Sequence, residues 1–249
     1  MRKLVVPIIL FLTTLSNSFG QSKNSELPIS HLTGDFYIYK TFHDYKGIQI
    51  SANAMYLVTD KGVVMFDAPW DKEQFQPLLD SIKAKHNKEV IMYFATHSHE
   101  DRAGGIAFYK QKGIKTYTTK LTDEILKKNK EPRAGYIIPN DTVFNVGQYT
   151  FEVYYPGKGH APDNIVVWFN KEKVLYGGCF IKSAEAKDLG YLGDADVKEW
   201  EKSIKKVQSK FKKPNYIITG HDDWKYSTSL QHTFKLVQES NAEELSKKK

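Results

Sequence analysis

The sequence predicts an α/β fold in which two mixed β-sheets pack face to face with helices on the outside, an αββα sandwich. Short runs rich in Ile, Val, Tyr and Phe, typical of strands, occur in both halves of the chain, and amphipathic stretches with helical spacing separate them. The 249 residues, 41% hydrophobic and 26% charged, are enough for one large domain with its own core. No internal repeat or low-complexity linker divides the sequence, so we expect a single compact domain.

Strands separated by turn residues fill the first part of the chain. Runs of β-branched and aromatic residues predict strands at residues 35–40, 48–58 and 63–67. The turn sequence Asp60-Lys61-Gly62 separates the last two of them. A helix of about three or four turns is predicted after Asp71, because apolar residues recur there at helical spacing: Phe75, Leu78, Leu79 and Ile82.

The same alternation of strands and helices continues to the end of the chain. Further strands are predicted at residues 90–95, 114–118, 143–146, 149–155, 165–169, 174–176 and 216–219. Helices are predicted at residues 105–112 and 121–128, at residues 197–211, and around Leu230, Phe234 and Val237. Two sheets packed face to face would bury the apolar stripes of all these helices against their outer faces.

One long apolar run lies at the N-terminus. Arg2 and Lys3 precede it, residues 4–15 form it, and a stretch of mostly small residues follows up to Gly20, which is the pattern of a secretory signal peptide. The run falls short of the ~20 residues that a bilayer span needs, so a membrane anchor is the weaker alternative. We therefore expect residues 1–20 to be removed and residues 21–249 to form one exported domain without a membrane attachment.

The charge of the chain indicates which classes of binding partner to expect. Lys and Arg number 36 against 29 Asp and Glu, which gives a formal net charge of +7. The lysines are scattered, and three form the C-terminal Lys247-Lys248-Lys249, so a solvated tail explains the basic excess better than nucleic-acid binding does. A mildly basic protein of this kind remains compatible with anionic small molecules as ligands.

A short polar loop after the strand at residues 90–95 carries candidate metal ligands. His97, His99 and Asp101 alternate in this loop. In an extended loop residues i and i+2 point the same way, so all three side chains can face one cavity. The alternative is an ordinary solvated loop.

Three further candidates, His160, Cys179 and His221, each lie beyond an apolar strand and directly after a glycine. Glycine permits unusual backbone angles close to a crowded centre, and loops at strand ends can converge along one edge of a sandwich. The candidates divide into three histidines and a set of carboxylate, thiolate and imidazole, the ligand types that Zn²⁺ prefers. Cys179 has no partner for a disulfide, and metal coordination explains it, with a small buried hydrophobe as the alternative.

The ordered set of motifs resembles the two-zinc class B metallo-β-lactamases across nearly the whole mature chain. Its residues are His97-Ser98-His99-Glu100-Asp101, Asp67-Ala68-Pro69-Trp70, Gly159-His160-Ala161-Pro162-Asp163-Asn164, Gly177-Gly178-Cys179-Phe180-Ile181-Lys182, Gly190-Tyr191-Leu192-Gly193-Asp194-Ala195 and Gly220-His221. The resemblance implies that His97, His99 and His160 bind one zinc ion within an αββα fold. It implies that Asp101, Cys179 and His221 bind the other.

Two positions favour the lactamase branch over relatives with other substrates. Many hydrolases of this superfamily carry a histidine directly after the motif aspartate and a bridging aspartate in place of the thiolate. This chain has Arg102 and Cys179 at those positions. A zinc hydrolase of the same fold that acts on a thioester, lactone or phosphodiester is therefore the second choice, and an exported metal-binding protein without catalysis is the third.

The resemblance also implies residues that contact the substrate. Lys182 matches a lysine that binds the β-lactam carboxylate, and Tyr191 stands where the family often has an asparagine, so we expect Tyr191 to contribute stacking or a hydroxyl. Residues 41–49 are expected to be a hairpin tip that corresponds to a flap over the substrate. Arg102 is expected to hold Asp101 or Cys179 in place.

The expected function is the hydrolysis of penicillins, cephalosporins and carbapenems by a monomer in the bacterial periplasm, which confers antibiotic resistance. The two zinc ions would lower the pKa of a shared water to about 7. His97, His99 and His160 would hold the ion that polarises the carbonyl, and Asp101 would orient the nucleophile. No Ser-x-x-Lys in the sequence is accompanied by the Ser-Asp-Asn and Lys-Thr-Gly elements that the serine enzymes require.

Overall fold

The computed structural model describes residues 27–139 and 141–246. The expected signal peptide, residues 1–20, lies outside these described residues. None of the helices within the two described ranges combines the length and the apolar character that a membrane crossing requires.

The first sheet contains seven strands in the described part of the chain, arranged in sequence order. They are β1 (Ile29–Thr33), β2 (Phe36–Tyr45), β3 (Ile48–Thr59), β4 (Gly62–Phe66), β5 (Val90–Phe94), β6 (Lys115–Thr119) and β7 (Tyr136–Ile138). The pairs from β1 to β4 are antiparallel, and the pairs from β4 to β7 are parallel. The sheet is therefore mixed, as the sequence predicts.

The second sheet has the strand order β12-β11-β10-β9-β8. Its strands are β8 (Thr142–Val146), β9 (Tyr149–Tyr154), β10 (Val166–Phe169), β11 (Val174–Gly178) and β12 (Tyr216–Thr219). Only the β11–β12 pair is parallel among these strands. Parallel pairing brings the C-terminal ends of β11 and β12 to the same edge, which is where Cys179 and His221 follow.

The two sheets pack through a layer of aromatic rings. Phe66 of the first sheet meets Phe151 and Phe169 of the second edge-on, with ring centroids 5.3 and 5.8 Å apart. Aromatic pairs in this edge-on geometry are stabilised by the attraction between ring quadrupoles as well as by burial. These rings and their buried neighbours form the central hydrophobic core between the sheets.

Helices cover the outer face of each sheet, which confirms the predicted αββα sandwich. The first sheet carries α1 (Phe75–His86), α2 (Glu100–Ala103), α3 (Ile106–Gln111) and α4 (Lys120–Lys128), and the second carries α5 (Val197–Lys210) and α6 (Ser229–Ser246). The stripe predicted for α1 is buried through Phe75, Leu78 and Ile82. Side-chain caps fix two of the helix starts, since Thr119 accepts from Thr122 N and Asp196 accepts from Glu199 N.

The segment expected as a hairpin tip, residues 41–49, is mostly paired strand. β2 and β3 stay paired up to Tyr45 and Ile48, which lie opposite each other. The turn itself consists of Lys46 and Gly47, both with positive φ, 54° and 80°. Such a two-residue turn matches the twist of the strands it joins, so the ladder continues to the end and the tip is shorter than expected. The result is a long two-stranded arm, the hairpin arm, beside the strand ends that carry the candidate ligands.

Candidate metal centre and active site

Three histidines that are distant in the sequence converge at one point. His97 Nε2 lies 3.1 Å from His99 Nδ1. The ring centroids of His97 and His160 are 5.2 Å apart, and those of His99 and His160 are 5.1 Å apart. The three rings stand nearly perpendicular to one another, with interplanar angles of 76° to 89°. The structure thus brings together the set of imidazoles that the sequence predicted.

A second set of donor atoms lies beside the histidines. Asp101 Oδ2 and His221 Nε2 are 3.3 Å apart, Cys179 Sγ and His221 Nε2 are 3.3 Å apart, and Cys179 Sγ lies 3.6 Å from Asp101 Oδ2. The two sets adjoin, because the ligand atoms of His97, His99 and Asp101 all lie within 4.8 Å of one another.

The backbone that carries the first ligands differs from the extended loop that the sequence suggested. His99 is extended, with φ −68° and ψ 153°, but α2 begins at Glu100, so Asp101 lies in the first turn of a helix. Alternation along an extended segment therefore explains His97 and His99 only. Asp101 joins them because the helical turn, rather than further extension, directs its carboxylate back to the cavity.

Both donor sets fit zinc in their chemistry, and the second set also fits it in its spacing, whereas His160 offers its ligand atom within 4.8 Å of those of His97 and Cys179. A tetrahedral zinc ion with bonds of about 2.0 to 2.3 Å sets its ligand atoms roughly 3.3 to 3.8 Å apart, which matches the triangle of Asp101, Cys179 and His221. Burial, together with the neighbouring His99, holds the pKa of His97 well below its usual value. Burial and the nearby Lys182 do the same to the pKa of His160. Both imidazoles are thus held neutral, the form that binds a metal.

Arg102 contacts both Asp101 and Cys179 at the base of the site. Its guanidinium is fully buried, donates from Nε to Cys179 Sγ at 3.1 Å and lies 3.0 Å from Asp101 Oδ2. Burial alone would raise the pKa of Asp101, but Arg102 and His221 hold it well below its usual range. The expected contact of Arg102 with Asp101 or Cys179 is therefore present with both residues.

The surroundings of His221 favour a positive charge on its ring. Burial favours the neutral ring, yet Cys179 and Asp101 raise the pKa of His221 to about 9. His221 Nδ1 donates to Ser51 O at 2.7 Å, which leaves Nε2 facing Asp101 and Cys179. His99 Nε2 is likewise paired with Asp194 Oδ2, at 2.9 Å, which leaves its Nδ1 facing His97. Such outer partners fix which ring nitrogen is free for the metal.

The predicted close approach at a glycine is confirmed at Gly220. A Cβ placed there would lie 2.6 Å from Cys179 N and 2.8 Å from Cys179 Sγ. Gly220 N donates to Gly178 O at 2.8 Å, so the ends of β11 and β12 lie against each other at this point. A side chain at this position would push the thiol and His221 apart.

Asp67 is an important residue to which the sequence analysis assigned no role. It is fully buried with φ 67°, and its carboxylate accepts from Thr96 N, Thr96 Oγ1 and Tyr176 OH at 2.7 to 2.9 Å. It also lies 3.6 Å from Arg102. These partners connect the start of the histidine loop to β11, and its position directly after a buried strand was the sequence feature that could have identified it.

The site opens into a cavity of about 460 Å³. Tyr45 and Ile50 of the hairpin arm line it on one side, Trp70 contributes to its wall, and Tyr191 lines it as well. Tyr191 is 60% exposed, and its ring lies 5.7 Å from that of His99 in an edge-on arrangement. Lys182 is buried, with 9% of its surface exposed, and lies behind the residues that line this cavity, with its Nζ 5.5 Å from the ring centroid of Trp200.

The four histidines without predicted ligand partners lie outside the metal groups found in the described residues. His43 pairs with Asp71 at 2.5 Å, and His86 Nε2 lies 2.9 Å from Tyr56 OH. His31 and His232 bond to backbone carbonyls. The partners of these four histidines are thus a carboxylate, a tyrosine hydroxyl and backbone carbonyls rather than other candidate ligands.

Comparison with known proteins gives consistent matches. Residues 48–221 match the model of the metallo-beta-lactamase superfamily. The chain is 50% identical over 240 residues to the metallo-beta-lactamase type 2 of Elizabethkingia meningoseptica, a match that covers 96% of each protein. It is 49% identical over 212 residues to metallo-beta-lactamase IND-1 of Chryseobacterium indologenes, covering 85% of this chain and 87% of that protein. The crystal structure of metallo-beta-lactamase IND-7 superimposes with a TM-score of 0.84 at 47% identity, over 88% of this chain and 100% of that one.

Proposed function

The chain belongs to the metallo-beta-lactamase superfamily, and on that premise we propose that it hydrolyses penicillins, cephalosporins and carbapenems with two zinc ions. Zinc-dependent hydrolysis of the β-lactam amide bond, and the antibiotic resistance that results, is the activity of this enzyme. The use of two ions and the action on carbapenems are the finer parts of the proposal. The observation that carries the two-ion proposal is the triangle of Asp101 Oδ2, Cys179 Sγ and His221 Nε2, with sides of 3.3 to 3.6 Å, next to three converging imidazoles.

In this proposal each set of ligands holds one ion. His97, His99 and His160 hold the first, and Asp101, Cys179 and His221 hold the second. Zinc bound there supplies a Lewis acid and lowers the pKa of water to about 7, so that hydroxide is available at neutral pH.

Side chains of the protein orient the reactants around the metal centre. Asp101 lies between the two sets and lines the cavity, so its carboxylate can accept a hydrogen bond from the attacking water and direct it to the carbonyl carbon. Lys182 binds the carboxylate of the antibiotic through its ammonium. Tyr191 presents its exposed ring and hydroxyl to the opposite part of the substrate. The hairpin arm, with Tyr45 and Ile50, forms an apolar wall that shields the substrate from water.

The proposal includes the fate of the chain after synthesis. Residues 1–20 act as a secretory signal peptide that is removed, and residues 21–249 form a single domain. That domain works as a monomer in the periplasm, without a nucleic-acid or membrane partner. The charged start, the apolar stretch and the small residues before Gly20 support this part of the proposal.

Carbapenem hydrolysis by the purified protein, with zinc counted per chain, tests the proposal. Activity should disappear when a chelator has removed the metal, and it should return in full only after two equivalents of zinc are added. Turnover that survives thorough metal removal would refute the zinc mechanism. Full recovery at one equivalent would refute the use of two ions.

A pair of matched substitutions assigns the second set of ligands. His221→Gln should lower the zinc content to about one per chain and reduce turnover at least tenfold. His232→Gln should change neither quantity, because His232 bonds to Ala186 O at 2.7 Å and lies outside the metal groups. Equal zinc contents in the two variants would remove His221 from the site.

A further inference from the structure

The ammonium of Lys182 is held by an aromatic face. Its Nζ lies 5.5 Å from the ring centroid of Trp200. No hydrogen bond or ion pair to this Nζ is formed within residues 27–139 and 141–246. Asp188 and Asp101 act on Lys182 only at a distance, as do Cys179 and Arg102. A buried ammonium usually pairs with a carboxylate, so contact with a ring alone leaves its N–H donors available to a ligand.

The backbone of Lys182 is fixed independently of its side chain. Lys182 N donates to Thr233 Oγ1 at 2.8 Å, and Thr233 Oγ1 lies 2.7 Å from Ser229 O in α6. This contact sets where the side chain starts. A lysine has four rotatable bonds beyond its Cα, however, so the position of Nζ is set by what it touches at its far end.

Trp200 is held rigidly enough to determine that position. Its side chain is fully buried in α5, and its Nε1 donates to Phe180 O at 3.1 Å. A Cβ at Gly159 would lie 2.9 Å from Trp200 Cδ1, so the chain before His160 packs directly on the indole. The indole therefore has one orientation, fixed by a hydrogen bond and by close packing.

The same indole contacts the metal centre. The ring centroids of Trp200 and His160 are 6.0 Å apart. One rigid side chain thus touches both a predicted zinc ligand and the ammonium of Lys182. Its position defines the distance between the metal centre, where the lactam carbonyl reacts, and the cation that receives the carboxylate.

We propose that Trp200 is a positioning residue that places the Lys182 ammonium relative to the metal centre and thereby sets the affinity for carboxylate-bearing β-lactams. This inference rests on the proposed role of Lys182 in substrate binding. A ring face attracts the cation without neutralising it, whereas a carboxylate partner would compete with the carboxylate of the substrate. Trp200 is therefore a specificity-determining residue that does not itself touch the substrate.

Steady-state kinetics on Trp200→Phe and Trp200→Leu test the proposal. The probes are a cephalosporin with its free carboxylate and the methyl ester of the same compound. For the free acid, Trp200→Leu should raise KM about three- to tenfold with kcat within about twofold of the parent. Trp200→Phe, which keeps a weaker aromatic face and most of the packing, should give a smaller rise. For the methyl ester, the KM of each variant should equal that of the parent.

Trp168 provides the matched control. It is 5% exposed in the same outer core of the second sheet, and Lys173 Nζ lies 5.5 Å from its ring centroid. Trp168→Phe also replaces a buried indole that contacts a lysine, so it should change thermal stability about as much as Trp200→Phe does. KM for the free acid should stay at the parent value in Trp168→Phe, and a rise equal to that of Trp200→Phe would overturn the proposal.

Lys182→Ala, alone and combined with Trp200→Phe, separates failure of this inference from failure of the proposed function. If KM for the free acid is unchanged in Lys182→Ala, the proposed role of Lys182 is wrong. If Lys182→Ala raises KM but neither Trp200 variant does, the positioning role is wrong. The proposal requires that the double variant show the same KM as Lys182→Ala. It also requires unchanged zinc content in Trp200→Phe, because a loss of metal would assign the effect to His160.

Discussion

Replacing Arg102 by methionine should destabilise the protein strongly, and most strongly when it holds no metal. Arg102 Nη1 donates to Asn53 O at 2.7 Å, and Nη2 donates to Gly220 O at 2.8 Å. The substitution removes one donor from each of these two buried carbonyls and removes the guanidinium partner of the Asp101 carboxylate. Removing one partner of a buried ion pair costs about 3–5 kcal/mol, a large share of the 5–15 kcal/mol by which a domain is typically stable. Methionine is similar in volume, so little of the loss comes from an empty cavity.

Urea unfolding of the metal-free and the zinc-loaded protein measures this cost. The free energy of unfolding should fall by about 3–5 kcal/mol in the metal-free Arg102→Met variant. The fall should be smaller in the zinc-loaded variant, because a cation at the second set compensates Asp101 and Cys179 in place of the guanidinium. The matched control is Arg133→Met, whose guanidinium is 49% exposed and pairs with Asp123. The loss in Arg133→Met should be much smaller, because its guanidinium stays in contact with solvent.

Two outcomes would refute this reasoning. If Arg102→Met and Arg133→Met lose the same free energy of unfolding, then burial does not determine the value of the Arg102 contacts. If the loss at Arg102 is the same with and without zinc, then the guanidinium does not act by compensating the charge of the metal ligands.

Two other substitutions test the backbone at the site and a histidine away from it. Gly220→Ala should lower the zinc content and reduce turnover at least tenfold, because its Cβ would lie 2.6 Å from Cys179 N. Gly135→Ala is the control and should match the parent, because the nearest atom to its Cβ would be Thr116 Oγ1 at 3.7 Å. Equal zinc contents in the two alanine variants would contradict the packing argument. Burial and the neighbouring Lys85 lower the pKa of His86 in the folded protein. As the pH falls, His86 therefore takes up its proton in the unfolded chain first. The free energy of unfolding decreases as the pH falls from the ordinary histidine pKa of about 6.5 toward the lower folded value. Urea midpoints at pH 7.5 and 5.5 should therefore differ less in His86→Gln than in the parent, and an identical difference would show that His86 does not contribute.

The sequence predicted the layers, and it singled out the candidate ligands that the fold brings together, because both depend on local patterns. The stripe of α1 and the strands that end before Cys179 and His221 are visible as runs of apolar residues, and the ligand types themselves indicate zinc. The strands that the sequence did not predict, β1 and β7, are short or partly exposed. β7 has three residues, Tyr136–Ile138, of which two are exposed, and β1 shows no regular alternation of buried and exposed positions.

Contacts between distant residues could not be predicted from local patterns. Asp67 bonds to Tyr176, 109 positions away in the sequence, and Trp200 reaches Lys182 from a different element. Each of these residues has an ordinary local explanation, a strand end for Asp67 and a helix stripe for Trp200. The role of Asp67 arises only when the second sheet packs on the first, and that of Trp200 only when α5 packs on the outer face of the second sheet.

Each metal set draws on both halves of the sandwich. His97, His99 and Asp101 follow β5 of the first sheet, whereas His160, Cys179 and His221 follow strands of the second. An ion bound at either proposed position would therefore link the two sheets. By linkage, the free energy of metal binding would add to the free energy needed to separate the two sheets. Neither sheet alone carries all the ligands of either site.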